Sequence, residues 1–518
     1  MAQESAMSRE VIDYKSLDLG GRFSLSAPER GWSGEITLPG DVHTALLEAA
    51  EIPDPYFGQN EDAVAWVYKT SWTVERHFDV PADMAEGYLT LTLSEVDCIA
   101  TVLLNGEAIA QTQNQFIRYD LDVTGKIRAG ENTLTIAFAA VPEVAQSRAD
   151  AHPFAIPYAA MNQKVALRRS ALARTESVQI DQLHENGKVN LVLKTRVHAF
   201  DSGTVSLTHI IDGQTVGGDI EVEKGENLIE HSITIDSPNL WWPVGQGGQP
   251  LYDLVTDLDG ETTSQKIGLR KLEWIVEKDE IDHSFKCRIN GRDITMMGAN
   301  WIPADAIPSR ITPEMVEDLL QSAKAANYNM LRVWGGGQYE PDWFYDLCDE
   351  LGLLVWHDFM FSCMPYPSDR AFLADVQTEI TQQVRRLSHH ASIALWCGDN
   401  EVIGSLNWYP ETKANRDRHL ANYDRLSNLL AEIVEDEDPQ RRFWPSSPSL
   451  GYMDFADGWH IDTRGDMHFW DVWHSTKPFE HYRTVQPRFA SEFGFQSFAS
   501  INVIETFTEA ADRNPSSQ

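Results

Sequence analysis

Basic residues are scarce in this 518-residue sequence, because 42 Lys and Arg side chains stand against 78 Asp and Glu side chains. The resulting formal net charge of −36 repels phosphate backbones and anionic lipid surfaces. No segment approaches the roughly 18 consecutive apolar residues that a membrane-spanning helix needs. The composition therefore predicts a protein whose partner is neither a nucleic acid nor a membrane.

Cysteine is also scarce. The five cysteines are scattered and include no Cys-x-x-Cys pair: Cys98, Cys287, Cys348, Cys363 and Cys397. This pattern favours neither a disulfide framework nor a zinc site. The N-terminal segment MAQESAMSREVIDYKSL lacks the basic start and apolar stretch of a secretory signal. We therefore predict a cytoplasmic protein that holds no metal and no cofactor.

Short β-rich runs fill the first half of the chain. TSWTVERHFDV, YLTLTLSEV and NTLTIAFAAV are separated by turn signals such as Asn105-Gly106, and KVNLVLKTRVHAF and NLIEHSITI continue the pattern. Runs of this length and composition predict antiparallel sandwiches. We expect a jelly-roll-like, all-β sandwich at 1–180 and an immunoglobulin-like β-sandwich at 181–280.

From about residue 285, short apolar strands alternate with helical stretches. The predicted strands lie in ITMMGANW, MLRVWGGG, LLVWHDFMF, IALWCGDNE, RFWPSSP, DMHFWDVW and RFASEFGF. Seven strands separated by helices or long loops are typical of a (β/α)8-type TIM barrel. We expect this barrel at 281–518 and expect it to be incomplete at its C-terminal end, which leaves an open edge and an apolar face exposed.

Two glutamates follow strands of the predicted barrel. Glu401 ends the fourth strand in IALWCGDNE, and Glu492 ends the seventh in RFASEFGF. The carboxyl ends of barrel strands meet at one mouth, so the two side chains should face each other there. Glycoside hydrolysis needs such a pair, in which one carboxyl group protonates the leaving oxygen and the other attacks the anomeric carbon. The alternative is that both belong to the solvated surface, as most acidic residues do.

Six motifs of the barrel region resemble, in order, the β-mannosidases of glycoside hydrolase family two: GANWIPAD, LRVWGGGQYE, VWHDFMF, WCGDNE, HFWDVWH and RFASEFGFQSF. A looser similarity through LPGDVHTALL, NEDAVAWVYKTSW and NLWWPVGQGGQPLY extends it over nearly the whole chain. The resemblance implies a retaining exo-glycosidase that releases terminal β-mannose from an oligosaccharide. It also implies that Glu401 is the acid/base and Glu492 the nucleophile.

The resemblance further implies a sugar subsite around these glutamates. Arg332 would lie against the nucleophile and favour its ionised form, unless it makes only a helix-facing salt bridge. Asn400 would hydrogen-bond the sugar 2-hydroxyl. Aromatic faces stack on sugars and carboxylates bind hydroxyl groups, so four more residues join the predicted subsite, with core packing as the alternative. These residues are Trp334, Asp358, Trp408 and Trp470.

Two departures from the family leave other functions open. The family's Gly-Trp-Asp-Trp motif is missing, since no tryptophan lies between Trp72 and Trp241. The second departure is that no eighth barrel strand follows Glu492 before Gln518. A family-two exo-glycosidase of β-galactosidase or β-glucuronidase type and a catalytically silent carbohydrate-binding protein are therefore alternatives. The sequence determines neither the natural glycan nor the oligomeric state.

Overall fold

Two β-sandwiches precede a β/α barrel, which confirms the predicted fold class. The computed structural model describes residues 16–140, 160–161, 165–456 and 458–517. The junction between PYAAMNQK and VALRRS, where the Gly-Trp-Asp-Trp motif is expected, falls outside these residues. The predicted domain limits of 1–180, 181–280 and 281–518 stay a prediction.

The first sandwich is built from strands that alternate buried and exposed side chains. In Gly130–Phe138, every second residue from 132 to 138 is buried, which is the period of a strand with one face on a core. A six-stranded sheet contains Trp32–Leu38, Gly21–Ala27, Trp72–Val80, Gly130–Phe138, Ala100–Leu104 and Glu107–Thr112. A four-stranded sheet contains Ser16–Asp18, Val165–Ser170, Tyr88–Leu93 and Tyr119–Asp122, and a small third sheet contains Gly40–Asp41, Ala160–Met161 and Val96–Asp97. Two helices, Val42–Glu48 and Asn60–Val64, complete this part.

The second sandwich shows the same alternation along Lys188–Ala199. Its three-stranded sheet contains Ala173–Glu185, Lys188–Ala199 and Gly225–Asp236, and its four-stranded sheet contains Gln214–Val222, Gly203–Ile211, Tyr252–Leu258 and Glu261–Ile267. A short antiparallel sheet of Leu272–Ile275, Lys286–Ile289 and Arg292–Ile294 follows. Its side chains share a core with Met330 and Leu354, the first residues of two barrel strands. This sheet therefore lies at the N-terminal end of the barrel, opposite the mouth.

Seven parallel strands form the barrel region, and the described residues include no eighth. They are Gly298–Trp301, Met330–Val333, Leu354–Asp358, Ile393–Cys397, Arg442–Trp444, Met467–Phe469 and Ala490–Phe493. The first five pair side by side, and the sixth pairs with the seventh. Asn300 Nδ2 of the first strand donates a hydrogen bond of 3.3 Å to the Ser491 carbonyl of the seventh. The third and fourth strands are buried throughout, as expected for parallel strands covered on both faces.

Helices lie between these strands: Pro313–Ala325, Asp342–Leu351, Arg370–Leu387, Val402–Ser405, Pro410–Ala414, Arg416–Glu437 and Asp471–His474. A further helix, Ile501–Phe507, follows the seventh strand. Local sequence explains several boundaries. Thr312 and Asp369 cap the N-termini of their helices by accepting backbone N–H groups, and Gly352 ends Asp342–Leu351 in a left-handed conformation with φ of 80°. None of the described helices is both long and apolar enough to cross a lipid bilayer.

The first sandwich is joined directly to the barrel. Asn114 Nδ2 donates hydrogen bonds of 2.7 Å to Glu379 Oε2 and 3.1 Å to Asp375 Oδ2, and Gln383 donates one of 2.7 Å to the Phe116 carbonyl. These partners lie on the helix Arg370–Leu387, between the third and fourth barrel strands. The contact therefore couples a sandwich loop to the part of the barrel that carries Glu401.

Apolar side chains are exposed at and after the seventh barrel strand. Phe493 is 62% exposed and Phe498 is 81% exposed. These apolar side chains therefore face solvent, whereas the open edge of an incomplete barrel stays a prediction.

Candidate active site

The fourth barrel strand delivers Glu401 to the barrel mouth. After the buried segment Ile393–Cys397, a Cβ atom at Gly398 would lie 2.3 Å from the Pro445 carbonyl oxygen, so only glycine fits. The chain then turns through Glu401, whose φ of 60° is left-handed, into the short helix Val402–Ser405. Glu401 is only 8% exposed. Its carboxyl group thus faces the interior of the mouth rather than bulk water.

Glu492 lies in the seventh barrel strand and is also 8% exposed. Its Oε1 accepts a hydrogen bond of 2.6 Å from Arg332 Nη1, and its Oε2 accepts one of 2.9 Å from Trp470 Nε1. Trp470 directly follows the sixth strand. The Trp470 side chain, which is predicted to lie in the sugar subsite, therefore donates a hydrogen bond to one oxygen of Glu492.

Arg332 connects most of the predicted site. Besides its bond to Glu492, its Nη2 donates hydrogen bonds of 2.7 Å to both Asp358 Oδ2 and Asn400 Oδ1. The Arg332 side chain is 5% exposed, and its carboxylate partners lie on the third and seventh strands. The described contacts of Arg332 therefore include no salt bridge to a helix, which was the alternative for this residue.

Asp358 is fully buried, and both of its oxygens accept hydrogen bonds from the protein. Oδ1 accepts from Trp356 Nε1 and Oδ2 accepts from the Gly335 backbone, in addition to the contacts with Arg332. Burial raises the pKa of Asp358 and outweighs the opposing effect of Arg332. Its visible role is to anchor Arg332, and its predicted contact with a sugar hydroxyl stays a prediction.

His468, which the sequence reasoning missed, lies between the two glutamates. Its Nδ1 is 2.6 Å from Glu401 Oε1 and 3.3 Å from Glu492 Oε2. Ser447 Oγ donates its hydrogen to Asp466 Oδ2 at 2.6 Å, so it accepts the Nε2 hydrogen of His468 at 2.9 Å. With Nε2 protonated in this way, one further proton is shared between His468 Nδ1 and the Glu401 carboxyl group.

The sequence does contain a signal for this histidine. His468 and Trp470 are two residues apart in DMHFWDVW, where the sixth strand ends. Side chains two residues apart along a strand project to the same side. The prediction that Trp470 lines the site therefore also indicates His468 as a site residue.

The two glutamates have opposite pKa shifts. Burial raises the pKa of Glu401 and outweighs the hydrogen bond with His468, which lowers it. Burial by itself would also raise the pKa of Glu492, but the positive charges of His468 and Arg332 outweigh burial and lower that pKa. One oxygen of each glutamate and a ring nitrogen of His468 lie within 4.8 Å of one another. The two shifts therefore run in the directions that suit an acid on one side and an ionised nucleophile on the other.

The two remaining predicted tryptophans lie near the mouth. Trp408 is 37% exposed, and its ring centroid is 5.9 Å from that of Trp459, which is 5.6 Å from the His468 ring. Trp334 directly follows the second strand and is half-buried. Trp459 was not singled out from the sequence. With Trp408 it forms an aromatic row that leads from solvent to the glutamates.

Glu401, His468 and Glu492 are also the one group of three potential metal ligands in the described parts of the chain. The imidazole already contacts both carboxyl groups, and the Arg332 guanidinium lies 2.6 Å from Glu492. This positive charge opposes a cation at the same place. The cluster therefore suits proton transfer better than metal binding.

Two family models match the chain. The model for a "Glycosyl hydrolase 2 galactose-binding domain-like" region matches residues 23–175, and the model for "Glycosyl hydrolases family 2" matches residues 173–270. Both matches cover the sandwiches, whereas the site lies in the barrel region that follows them.

Several similar proteins are β-mannosidases. The β-mannosidase of Bos taurus is 31% identical over 96% of this chain, and β-mannosidase B of Emericella nidulans is 31% identical over 94% of it. The crystal structure of a β-D-mannosidase from Dictyoglomus thermophilum matches 96% of the chain with a TM-score of 0.87 and 31% identity. An exo-chitosanase of Amycolatopsis orientalis, 16% identical over 96% of this chain and 60% of its own with a TM-score of 0.76, shares the fold. The chain spans 63% of the length of the first two relatives and 65% of the third.

Proposed function

Because the chain belongs to the family 2 glycosyl hydrolases, we propose that it is a retaining exo-glycosidase that hydrolyses terminal, non-reducing β-D-mannose residues. The observation that carries this proposal is the pair of buried glutamates with opposite pKa shifts at the barrel mouth. The relatives named β-mannosidase support the sugar specificity. The substrate is then an oligosaccharide that ends in β-mannose.

The geometry favours double displacement over direct attack by water. Retaining sites place their carboxyl groups about 5–5.5 Å apart, whereas inverting sites need roughly 6.5–9.5 Å to admit a water molecule. An oxygen of Glu401 lies within 4.8 Å of an oxygen of Glu492, which fits the shorter distance. In this mechanism Glu492 attacks the anomeric carbon while Glu401 protonates the departing oxygen. Glu401 then removes a proton from the water that releases the sugar from Glu492.

The neighbouring groups suit these two roles. Arg332 and Trp470 each donate a hydrogen bond to Glu492, which stabilises the ionised form that a nucleophile needs. The hydrogen bond of 2.6 Å between His468 Nδ1 and Glu401 Oε1 holds a proton within reach of the proposed acid. Asn400 is fixed by Arg332 beside both groups, where we propose that it contacts the sugar 2-hydroxyl. Trp334, Trp408 and Asp358 complete the proposed subsite.

A cytoplasmic location also stays a proposal. None of the five cysteines, all of which lie in the described parts of the chain, forms a disulfide, which fits a reducing compartment.

A substrate panel tests the proposed specificity. 4-Nitrophenyl β-mannoside, β-galactoside and β-glucuronide would be compared on this chain, and the expected result is that kcat/KM is highest for the mannoside. Proton NMR of the first product should show β-mannose before mutarotation. Preferred hydrolysis of the galactoside or glucuronide would support the alternative family-two activity, and an α-configured first product would contradict retention. If none of the three is cleaved while a mannose-configured inhibitor binds, the protein is a silent binder.

Variants at the two glutamates test the assignment of roles. Glu492→Ala should abolish turnover of every substrate, because no glycosyl-enzyme can form. Glu401→Ala should slow breakdown of the intermediate, and azide should restore turnover and yield a β-mannosyl azide, since this anion needs no deprotonation. Glu435→Ala, at an exposed glutamate of the helix Arg416–Glu437, is the matched control and should leave kcat/KM unchanged. A β-azide product from Glu492→Ala instead would exchange the two roles.

A further inference from the structure

The backbone of Glu401 is held in a costly conformation. Its φ of 60° and ψ of 14° lie in the left-handed region. This conformation costs free energy for a residue with a side chain, so it persists only when neighbouring groups hold it in place. This turn determines where the Glu401 carboxyl group points. The groups that impose the turn therefore also determine the position of the proposed acid/base.

Backbone hydrogen bonds fix the two sides of the turn. Asn400 N donates to the Phe361 carbonyl at 2.9 Å, and Glu401 N donates to the Ser447 carbonyl at 2.8 Å. Ser447 N donates in return to the Asp399 carbonyl at 2.9 Å. The segment is thus bound on one side to the chain that follows the third strand and on the other to the chain that follows the fifth.

The Asp399 side chain closes the turn. Its Oδ1 accepts a hydrogen bond of 3.0 Å from Val402 N, the residue after Glu401, and one of 2.6 Å from Ser446 Oγ. Asp399 is 3% exposed and Ser446 is fully buried, so water does not compete for these bonds. Asp399 Oδ1 therefore links the residues on both sides of Glu401 and connects the start of the following helix to the loop after the fifth strand.

We propose that Asp399 is a positioning residue for the reaction, because its carboxylate holds the left-handed turn that aims Glu401 at the leaving-group oxygen. This inference rests on the proposed role of Glu401 as acid/base. Asp399 acts through Glu401 and touches no reacting atom itself. Both hydrogen bonds that close the turn are accepted by Oδ1, so an asparagine, whose amide oxygen accepts the same two bonds, should replace it.

A leaving-group comparison separates this role from a general loss of structure. An acidic phenol departs without protonation, whereas the sugar leaving group of β-1,4-mannobiose needs the proton from Glu401. Because kcat/KM reports the first step only, Asp399→Ala should lower kcat/KM for mannobiose by about 100-fold, the loss expected from a displacement of about 1 Å. For 2,4-dinitrophenyl β-mannoside it should fall by less than about 5-fold. Asp399→Asn should keep both values within about 3-fold of the parent chain.

Ser446→Ala is a milder second variant, because it removes one of the two donors and leaves Asp399 in place. It should show the same preference for the activated substrate, with a loss on mannobiose of about 3- to 10-fold. An equal loss on both substrates, or no loss in Asp399→Ala, would overturn the proposal.

If the parent chain cleaves neither substrate, the proposed function fails, and crystal structures of the variants then decide the positioning role. Glu401 should leave positive φ in Asp399→Ala and keep it in Asp399→Asn, and a retained φ near 60° in Asp399→Ala would overturn it.

Discussion

Replacing Arg332 by methionine should destabilise the barrel strongly, because it leaves two buried carboxylates without their guanidinium. Arg332 is 5% exposed and contacts Asp358 at 2.7 Å and Glu492 at 2.6 Å. Removing one partner of a buried ion pair costs about 3–5 kcal/mol. Since 1 kcal/mol shifts Tm by roughly 2–4 °C in a domain of 150–250 residues, calorimetry should show a fall of about 6–20 °C in Tm.

Two control variants separate the loss of a buried ion pair from the loss of an arginine side chain in general. Arg288→Met removes a guanidinium from an exposed pair with Asp293 and should lower Tm by less than about 2 °C. The double variant Arg332→Met/Asp358→Asn should be more stable than Arg332→Met alone, because one of the uncompensated charges is gone. If Arg332→Met melts within about 2 °C of the parent chain, or if the double variant is no more stable than the single one, Arg332 does not stabilise the fold by compensating the buried carboxylates.

Two further predictions concern buried groups away from the glutamate pair. Burial raises the pKa of Glu340 to about 7, above the ordinary value of 4.5. As pH rises from about 4.5 to 7, Glu340 ionises in the unfolded chain but keeps its proton in the folded protein, so the free energy of unfolding falls. Glu340→Gln should therefore gain stability relative to the parent chain by up to about 3 kcal/mol between pH 4 and pH 8, and a Tm difference that is constant with pH would contradict this. Asn114→Leu removes the amide donor to Glu379 across the sandwich–barrel contact and should cost about 1–3 kcal/mol, whereas an unchanged Tm would show that the contact contributes nothing.

Local patterns in the sequence were sufficient to predict the strands and the ends that carry Glu401 and Glu492. A continuous apolar run such as IALWC predicts a strand buried on both faces, and the Gly-Asp-Asn-Glu that follows it predicts a strand end, because polar groups cannot extend a buried strand without partners. The parallel arrangement then brings the ends of distant strands to one mouth. This is why two glutamates far apart in the sequence were predicted to meet, and the structure places them within 4.8 Å.

Only the tertiary structure decided which charges and hydrogen-bond donors contact each glutamate. His468 bridges Glu401 and Glu492, Asp358 is committed to Arg332 rather than open to solvent, and Asp399 closes the turn at Glu401. The contacts of His468 and of Asp358 join side chains from different strands at distances of 2.6–3.3 Å, so they depend on strand register and on the curvature of the sheet. Periodicity and composition in one segment determine which face is buried, but they carry no information on the alignment of neighbouring strands. The pKa values that separate an acid from a nucleophile therefore arise only when the strands are assembled.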